Sequence, residues 1–497
     1  MAAPIALFRC DASPTIGAGH VTRCMALAEA LAELGWHVRF AVGRETIPTA
    51  PVLAASHFKV DVLLADTNHE PDALYEMASG HVDLLVIDHY QRNAVFERAC
   101  RSFARKILVL DDAIGRNHDC DILVDAAAAS TELYTQQVPA HARVLTGASY
   151  ALTRQSFVFH RDMALARRDG RPVSEILVSC GATDPANATT VVIDALDEVA
   201  HDAVVTIVLS SRAPHVEAVR KRLRGNARLL LDVRNMAELM TNADLAIGAP
   251  GSTTYERAVL GLPSILVTLA DNQRGIARLM VEAGAAVDAG MLDEGFAPRL
   301  RRLVAIHLAD GAGRQRLAQA ASMLVDGRGA VRIALGALED GVDKDGGRVG
   351  LRLAALDDEA WLLQLQQYPQ TRQHFRNAAI PNAEEHHDWM QRTLVNPKRL
   401  LLIIEADGVS VGSMRLDRLA DQDHAARHEV AIALDPDRYG RGIGSAALRL
   451  VRALMPGTIL DAVILPDNKA SQALFEGAGF VALSGDLYRN MPPQAFS

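Results

Sequence analysis

Glycine and hydroxyl residues cluster at three points where a short apolar run meets a segment with helical spacing. They are G-A-G-H at residues 17–20, C-G-A-T-D-P-A-N at 180–187 and G-A-P-G-S-T-T-Y-E at 248–256. The free N–H groups at a helix N-terminus attract an anion, and glycines let the backbone approach it closely. Each cluster is therefore either an ordinary packing turn or part of a phosphate cradle. The histidine in the first cluster is either incidental or a catalytic base.

The third cluster offers the largest number of ligand-binding groups. Gly251, Ser252 and Thr253 stand at the start of a helix-like segment, where they can hold a diphosphate. Glu256 lies one turn further along, where its carboxylate can bind the two hydroxyls of a ribose. The same residues could instead form a helix N-cap followed by a carboxylate that the helix dipole favours. In isolation the first cluster is also ambiguous, because G-x-G without a third glycine matches neither a dinucleotide fingerprint nor a P-loop.

A fourth glycine-rich turn, D-R-Y-G-R-G-I-G-S, occupies residues 437–445. Several N–H groups would again converge on one anion there, with arginine side chains beside it. A further motif, N-K-A-S-Q-A-L-F-E-G-A-G-F, follows at residues 468–480. The candidate anion-binding residues of this region are Arg438, Tyr439, Gly440, Arg441, Gly442, Gly444, Ser445 and Asn468.

The elements that must position the first three clusters are short apolar runs alternating with helix-like segments. The alternation starts at residue 5 and restarts after a basic, polar stretch at 166–174. Such runs are typical of parallel strands buried on both faces and joined by crossover helices. They predict an α/β protein with two doubly wound, Rossmann-like domains facing across a cleft, at residues 1–165 and 173–338. Ligands bind such sheets beyond the carboxyl ends of the strands, where the clusters lie, including Gly181 and Thr183.

Residues 339–349 are dense in glycine and charge and are predicted to be a linker. The remaining residues, 350–497, have a different character. They contain two of the three tryptophans and a hairpin pattern with D-G at its turn, over residues 400–416. They are predicted to form a separate α+β domain.

Composition excludes several classes of protein. The net charge of −9 provides no basic surplus for neutralising a nucleic acid or an anionic membrane. The five cysteines are odd in number and contain no C-x-x-C, so neither a disulfide framework nor a zinc cluster is expected. No apolar run reaches about 18 residues, and no basic segment precedes an apolar stretch at the N-terminus. We expect a cytoplasmic protein that needs no metal and has no membrane or nucleic-acid partner.

Most of residues 1–290 resemble GT-B glycosyltransferases. The closer resemblance is to the UDP-sugar hydrolase family of pseudaminic acid biosynthesis, which cleaves UDP-2,4-diacetamido-2,4,6-trideoxy-β-L-altropyranose. The stretches that carry the resemblance are residues 8–23, 84–90, 110–125, 147–157 and 180–187, and Glu256 with Asp271–Gln273.

This resemblance implies roles for particular residues. His20 would be the general base that activates water for inverting attack at C1. Backbone amides around Gly17, Gly19 and Gly251 to Thr253 would stabilise the departing diphosphate, and Glu256 would hold the ribose. The residues implied on the sugar side are Asp88, Tyr90, Asn272 and Gln273. Two alternatives stay open: Asp88 could simply cap a strand end, and the nucleophile could be a sugar hydroxyl instead of water.

The glycine-rich turn near the C-terminus and the motif that follows it resemble, in the same order, the acyl-CoA motifs of GNAT acetyltransferases. The resemblance implies acetyl-CoA as co-substrate and Glu429 as the base that takes a proton from an attacking ammonium. Two positions depart from the family pattern. Tyr439 stands where arginine or glutamine is usual, and Phe475 stands where a tyrosine general acid is frequent. Tyr488, water or no group at all would then protonate the thiolate.

The two resemblances together predict a bifunctional enzyme. Its first reaction would be N4-acetylation of UDP-4-amino-4,6-dideoxy-N-acetyl-β-L-altrosamine by acetyl-CoA. Its second would be hydrolysis of the resulting UDP-linked sugar to free sugar and UDP. The alternatives are a GT-B glycosyltransferase joined to an acyltransferase for another amino sugar, and a non-catalytic UDP-sugar sensor.

Overall fold

By its internal contacts, the chain divides into two units. The larger unit comprises Ala6–Ala30 and Val38–Ala330, and the smaller unit comprises the rest of the described chain. Two sheets belong mainly to the larger unit, and the third belongs to the smaller one. The computed structural model describes residues 3–13, 15–64, 69–375, 377, 379–422 and 425–492.

The first sheet has seven strands in the order β3-β2-β1-β4-β5-β6-β7. The order reverses between β1 and β4, which are parallel neighbours. A ligand site is expected at such a reversal, because the connections leave the two strands in opposite directions. The strands are β1 Ile5–Cys10, β2 His37–Val42, β3 Lys59–Val62, β4 Val82–Asp88, β5 Ala104–Leu110, β6 Ile122–Asp125 and β7 Arg143–Thr146. The helices are α1 Gly19–Glu33, α2 Thr46–Thr49, α3 Pro51–Ala54, α4 Glu70–Met77 and α5 Ala94–Cys100.

The second sheet is parallel, with the order β10-β9-β8-β11-β12-β13, and it reverses between β8 and β11. Apolar side chains cover both of its faces, as the continuous apolar runs require. The strands are β8 Glu175–Ser179, β9 Val204–Leu209, β10 Ala227–Leu231, β11 Leu245–Gly248, β12 Ser264–Thr268 and β13 Val287–Met291. The helices are α6 Gln155–Ala166, α7 Ala188–Asp197, α8 Val216–Arg222, α9 Met236–Asn242, α10 Ser252–Val259, α11 Arg274–Glu282, α12 Phe296–Ala309, α13 Gly311–Leu324 and α14 Gly329–Gly336.

The third sheet has eight strands in the order β14-β15-β16-β17-β18-β19-β21-β20. Its pairs are antiparallel except for β18 with β19, which run parallel. The strands are β14 Gly341–Val342, β15 Arg348–Leu353, β16 Arg399–Ala406, β17 Val409–Gln422, β18 Ala425–Leu434, β19 Ile459–Val463, β20 Val481–Ser484 and β21 Leu487–Asn490. The helices are α15 Glu359–Gln367, α16 Pro369–Arg372, α17 Ala383–Val395, α18 Ile443–Leu454 and α19 Lys469–Gly477.

The predicted fold class is confirmed: two doubly wound parallel sheets precede an α+β domain. Two segments differ from the expected organisation. Helix α6 packs against the second sheet, since Phe157 lies in the same apolar cluster as Ala246 and Val259. Part of the predicted linker is strand, because Gly341 pairs with Val349 and extends the third sheet. The glycine and charged residues of this segment therefore form a tight hairpin instead of an extended linker.

Candidate active sites

The point where the strand order of the first sheet reverses lies at the edge of a cavity of about 190 Å³ in the larger unit. Cys10 at the end of β1 is the register partner of Asp88 at the end of β4, so the loops that follow the two strands meet there. The second sheet contributes α10 and the turn before α11. The predicted residues in its lining are Gly19, His20, Tyr90, Gly251, Ser252, Asn272 and Gln273, and other polar lining residues are Arg23, Asp111, Asp112, Asp125, Tyr150 and Tyr255.

His20, in the first turn of α1, is a buried histidine held by a carboxylate. Its Nδ1 lies 2.5 Å from Oδ1 of Asp88, whose side chain is fully buried. An ionised carboxylate at Nδ1 favours the tautomer with its proton on that nitrogen, which leaves Nε2 able to accept a proton. The ring of Tyr90 packs edge-on against the imidazole, with 4.6 Å between ring centroids. This arrangement can perform general-base catalysis.

Arg23, one turn after His20, keeps Asp88 ionised. Its Nε and Nη2 donate to the two carboxylate oxygens at 2.5 and 2.6 Å. Burial alone would raise the pKa of Asp88, but the positive charge of Arg23 and the contact with His20 outweigh it and hold that pKa well below its usual range. The Nη1 group of Arg23 also donates to Asp112 at 2.9 Å. Asp88 is therefore a buried carboxylate that orients His20. A simple strand-end cap would not make these contacts with His20 and Arg23.

Tyrosine hydroxyls and carboxylates surround the rest of the cavity. Burial and the negative charge of Asp112 raise the pKa of Tyr90 to about 12, so its hydroxyl stays protonated at neutral pH. Tyr255, on α10, is only 6% exposed, and no hydrogen-bond partner of its hydroxyl is found among the residues that the structure describes. A buried hydroxyl that lines a cavity can donate to a polar ligand without first losing a protein partner. The Tyr255 hydroxyl is therefore a candidate contact for a sugar.

The start of α10 is a part of the cavity where an anion could bind. Gly251 precedes the helix, and an added Cβ would meet nothing within 4 Å, so a ligand can approach its backbone. Ser252 is the first helical residue and also lines the cavity. Helix α1 begins on the first-sheet side at Gly19, where a Cβ would likewise meet open space. Two helix N-termini with unhindered glycines can stabilise the charge of a diphosphate.

The other sequence-predicted residues of this site lie outside the cavity lining. Gly17 has a φ of +75° and donates its N–H to Ser13, which shapes the turn before α1. Gly181 and Thr183 follow β8, and Thr253 is half-buried on α10. Glu256 is 3% exposed, and burial raises the pKa of its carboxyl to about 7; Arg154 lies 3.6 Å away. The ribose contact of Glu256 remains a prediction.

Sequence reasoning missed Arg23, Asp112 and Tyr255. Arg23 had a local signal, because it follows His20 by three residues in a helical segment and so lies on the same face. Asp112 follows a strand-like run, which is weaker evidence. Tyr255 had no signal, because a single aromatic residue in a helix is usually part of the core.

His118, in the loop after β5, is buried between two acids. Its Nδ1 lies 2.7 Å from Glu97, and its Nε2 lies 3.4 Å from Asp111, a cavity residue. Burial alone would lower the pKa of His118, but Asp111 and Glu97 outweigh it and raise that pKa to about 9. The protonated imidazolium therefore stabilises the fold around Asp111.

The free energy of unfolding should depend on pH through His118. Because its folded pKa is about 9 and an unfolded histidine titrates near 6.5, this contribution is complete below about pH 6.5 and disappears as the pH rises through about 9. Denaturant unfolding of a His118→Gln variant should show a loss on the order of 3 kcal/mol at the acidic end and a much smaller loss at the alkaline end. His160→Gln, on the exposed face of α6, is the control. A pH-independent loss in His118→Gln would contradict the assignment.

The glycine-rich turn of the smaller unit connects β18 to α18. Gly440 and Gly442 adopt φ values of +78° and +83°, which explains why glycine occupies both positions. Gly442 precedes α18, so the first free N–H groups of the helix face one point, near Ser445. Gly444 packs against Leu474 of α19, where an added Cβ would lie 3.1 Å from the leucine side chain. The turn is therefore built to place backbone donors around an anion.

Two arginines accompany this turn, as the sequence predicts. Arg438 ends a short 3₁₀ turn, and Tyr439 next to it is half-exposed. Arg441 forms ion pairs with Asp343, at 3.4 Å, and with Asp345, at 3.2 Å. Its guanidinium is thus already engaged by the segment that was predicted to be a linker.

Glu429 occupies the middle of a row of charged residues that crosses five strands. In register, Arg399 of β16, Asp417 of β17, Glu429 of β18, Asp461 of β19 and Arg489 of β21 stand side by side. Arg399 donates to Asp417 at 2.5 Å, and Arg489 donates to Asp461 at 2.7 Å. The flanking acids are therefore neutralised, and Glu429 is half-buried between them. A carboxylate in this position can receive a proton from an ammonium group.

Strands β18 and β19 separate close to Glu429. Their parallel register covers only residues 427–429 and 459–461, whereas β18 continues to Leu434. Beyond Glu429 the pairing with β19 ends, and the remaining part of β18 leads to the glycine-rich turn. A thioester carbonyl and an acceptor amine could meet where the two strands separate.

Two further predicted positions have structural roles. The Asn468 side chain accepts the N–H of Ser471 at 3.0 Å and caps α19, and its contact with acetyl-CoA remains a prediction. Phe475 is 3% exposed and packs edge-on against Phe480, with 4.9 Å between centroids. Tyr488, the candidate general acid, is 7% exposed in β21.

Two different parts of the chain are similar to known proteins. The family described as Acetyltransferase (GNAT) domain matches residues 348–481. The spore coat polysaccharide biosynthesis protein SpsG of Bacillus subtilis is 27% identical over 329 residues, which cover 64% of this chain and 93% of that protein. The UDP-2,4-diacetamido-2,4,6-trideoxy-beta-L-altropyranose hydrolase of Campylobacter jejuni is 28% identical over 288 residues, covering 57% of this chain and 98% of that protein. The predicted resemblance of the N-terminal region is therefore confirmed, as is the C-terminal GNAT domain.

Two solved structures are also similar. The MurG structure from Acinetobacter baumannii has 16% sequence identity and a TM-score of 0.47, and the match covers 66% of this chain and 98% of that one. The GNAT domain of S. lividans PAT has 22% identity and a TM-score of 0.26, with coverage of 30% and 93%. Within the described residues, no helix has the length and apolar character needed to cross a bilayer.

Proposed function

We propose that this chain is a bifunctional enzyme that acetylates a UDP-linked 4-amino sugar and then hydrolyses the acetylated product to free sugar and UDP. The observation that carries the hydrolase half is His20, which lines the same cavity as the start of α10 and is held from behind by the buried Asp88. The similarity to the hydrolase of Campylobacter jejuni supports the substrate class. The GNAT domain supports acetyl-CoA as the acyl donor.

In the hydrolytic step, Nε2 of His20 accepts a proton from water as the water oxygen bonds to C1 of the sugar. The bond between C1 and the diphosphate oxygen breaks, and its electrons leave with UDP. Backbone N–H groups at the starts of α1 and α10 stabilise the resulting negative charge. Attack from the face opposite UDP inverts the configuration at C1.

In the acetylation step, the 4-amino group of the sugar attacks the thioester carbonyl of acetyl-CoA. A C–N bond forms, the C–S bond breaks, and Glu429 accepts the proton that the ammonium group loses. The leaving thiolate takes a proton from Tyr488 or water, because Phe475 has none to give. The two reactions are consecutive, since the product of the first is the substrate of the second. We place this chemistry in the cytoplasm, where both UDP-sugars and acetyl-CoA are expected.

The test uses the purified full chain with UDP-4-amino-4,6-dideoxy-N-acetyl-β-L-altrosamine, with and without acetyl-CoA. We expect acetylation followed by UDP release when acetyl-CoA is present, with no second sugar required. Mass spectrometry would follow the sugar, and a coupled assay would follow UDP. Consumption of the UDP-sugar only after addition of a second sugar acceptor would instead support a glycosyltransferase. Binding without any turnover would support a sensor.

A further inference from the structure

The glycine-rich turn of the smaller unit is contacted from one side by the turn between β14 and β15. The backbone N–H of Lys344 donates to the carbonyl of Arg441 at 2.8 Å, and its Nζ donates to the carbonyl of Gly440 at 2.9 Å. A Cβ added at Gly442 would lie 3.0 Å from Cγ of Lys344 and 3.4 Å from its backbone nitrogen. The turn and the segment are therefore packed together, and the absence of a side chain at Gly442 permits this approach.

Asp343 makes the contact rigid. Its Oδ1 accepts the N–H groups of Asp345 and Gly347 at 2.9 and 2.7 Å, and its own N–H donates to the carbonyl of Gly347 at 2.9 Å. The side chain is 1% exposed, and its Oδ2 contacts the guanidinium of Arg441. One carboxylate thus closes the hairpin with one oxygen and binds the glycine-rich turn with the other.

The charge of Arg441 is balanced by this segment. Asp343 and Asp345 both pair with its guanidinium, although Asp345 is 66% exposed and contributes little through water. A guanidinium already paired with two carboxylates has less to gain from a diphosphate than a free one has. The backbone N–H groups of the turn and of the start of α18 are not paired with these carboxylates, so a diphosphate can still gain from them.

We propose that residues 341–349, named here the 341–349 hairpin, form a positioning element of the acetyl-CoA site. In this arrangement Arg441 acts on the diphosphate through the turn that it anchors to Asp343, and it does not contact the diphosphate itself. The inference rests on the proposed acetyltransferase function. It also means that the acetyl-CoA site begins before residue 350, where composition placed the domain boundary.

The test measures the dissociation constant of acetyl-CoA by calorimetry on the full chain. Asp343→Asn keeps the oxygen that closes the hairpin but removes the charge that holds Arg441, and it should weaken binding about tenfold. Arg441→Met should have a similar effect, and the double variant should bind no more weakly than either single variant, because both break the same contact. Asp357→Asn, at an exposed position of the smaller unit outside the hairpin, is the matched control and should stay within about twofold. The KM for the amino sugar should not change in any of these variants.

Several results would overturn the inference. An unchanged dissociation constant in Asp343→Asn, with tight binding by the unmodified chain, would show that the hairpin does not position the turn. Losses that multiply in the double variant would show that Arg441 contacts the diphosphate directly. So would a shallower salt dependence of acetyl-CoA binding in Arg441→Met alone. Failure of the unmodified chain to bind acetyl-CoA would overturn the proposed function and the inference with it.

Discussion

Replacing His20 with alanine should reduce the rate of UDP release from the acetylated UDP-sugar on the order of 10³-fold, which is the usual contribution of a positioned general base. The imidazole of His20 lines the cavity. Oδ1 of Asp88 lies 2.5 Å from its Nδ1 and orients the ring so that Nε2 can accept a proton. UDP binding should change little, because the groups that would stabilise the diphosphate are backbone amides at α1 and α10. The measurement is kcat for UDP release together with the dissociation constant of UDP.

Asp88→Asn extends this prediction to the residue that orients the imidazole. An amide can still contact Nδ1 but no longer fixes the tautomer, so we expect a loss on the order of 10²-fold or more in kcat. His160→Ala, on the exposed face of α6, is the matched histidine control and should retain full activity. N4-acetylation should be unaffected in all three variants, and an unchanged dissociation constant of UDP would show that the larger unit is folded. Normal UDP release by His20→Ala would rule out this histidine as the base.

Replacing Glu429 with glutamine should reduce the rate of acetyl transfer by about 10²-fold or more while leaving the dissociation constant of acetyl-CoA unchanged. Glutamine has the same shape but cannot take the proton that the ammonium group loses. Asp417 and Asp461 on either side are each held by an arginine, at 2.5 and 2.7 Å, so they are poorly placed to substitute for it. Initial rates with the UDP-4-amino sugar, measured over a range of pH, would test this.

Glu405→Gln provides the matched control for Glu429. Glu405 also lies on a strand of the third sheet and binds Arg352 at 2.7 Å, but it is outside the central row of charges. We expect its replacement to leave acetyl transfer within a few-fold of normal. UDP release from pre-acetylated substrate should be normal in both variants. If Glu429→Gln transferred acetyl groups at the normal rate, the central carboxylate would have a structural role only.

Much of the fold could be predicted, because its elements have local causes. Strands β1, β4, β5, β8 and β11 each contain an uninterrupted apolar run, because parallel strands are buried on both faces; the runs are residues 5–8, 84–87, 107–110, 176–178 and 245–247. The hairpin formed by β16 and β17 was visible from its D-G turn, where Asp407 and Gly408 adopt positive φ values. The 341–349 hairpin was not recognised, because glycine and charge are equally typical of an open linker. Only the register of Gly341 with Val349 distinguishes the two.

The sequence by itself determined where glycines precede a helix start, because this is a property of neighbouring residues. It also indicated His20 and Glu429 as candidate bases through the motifs around them. Only the tertiary structure decided which distant residues contact the predicted site residues, such as His20 and Arg441. Asp88 lies 68 residues from His20 along the chain, and Asp343 lies 98 residues from Arg441.

Contacts at such separations depend on strand order and register. The reversal between β1 and β4 brings His20 to Asp88, and the addition of β14 to the third sheet brings Asp343 to Arg441. The buried carboxylates of Asp88 and Asp343 gain stability from a positively charged partner, which is Arg23 for Asp88 and Arg441 for Asp343. A single sequence reveals that such a charge is present, but the partner that satisfies it is chosen by the packing of the sheets.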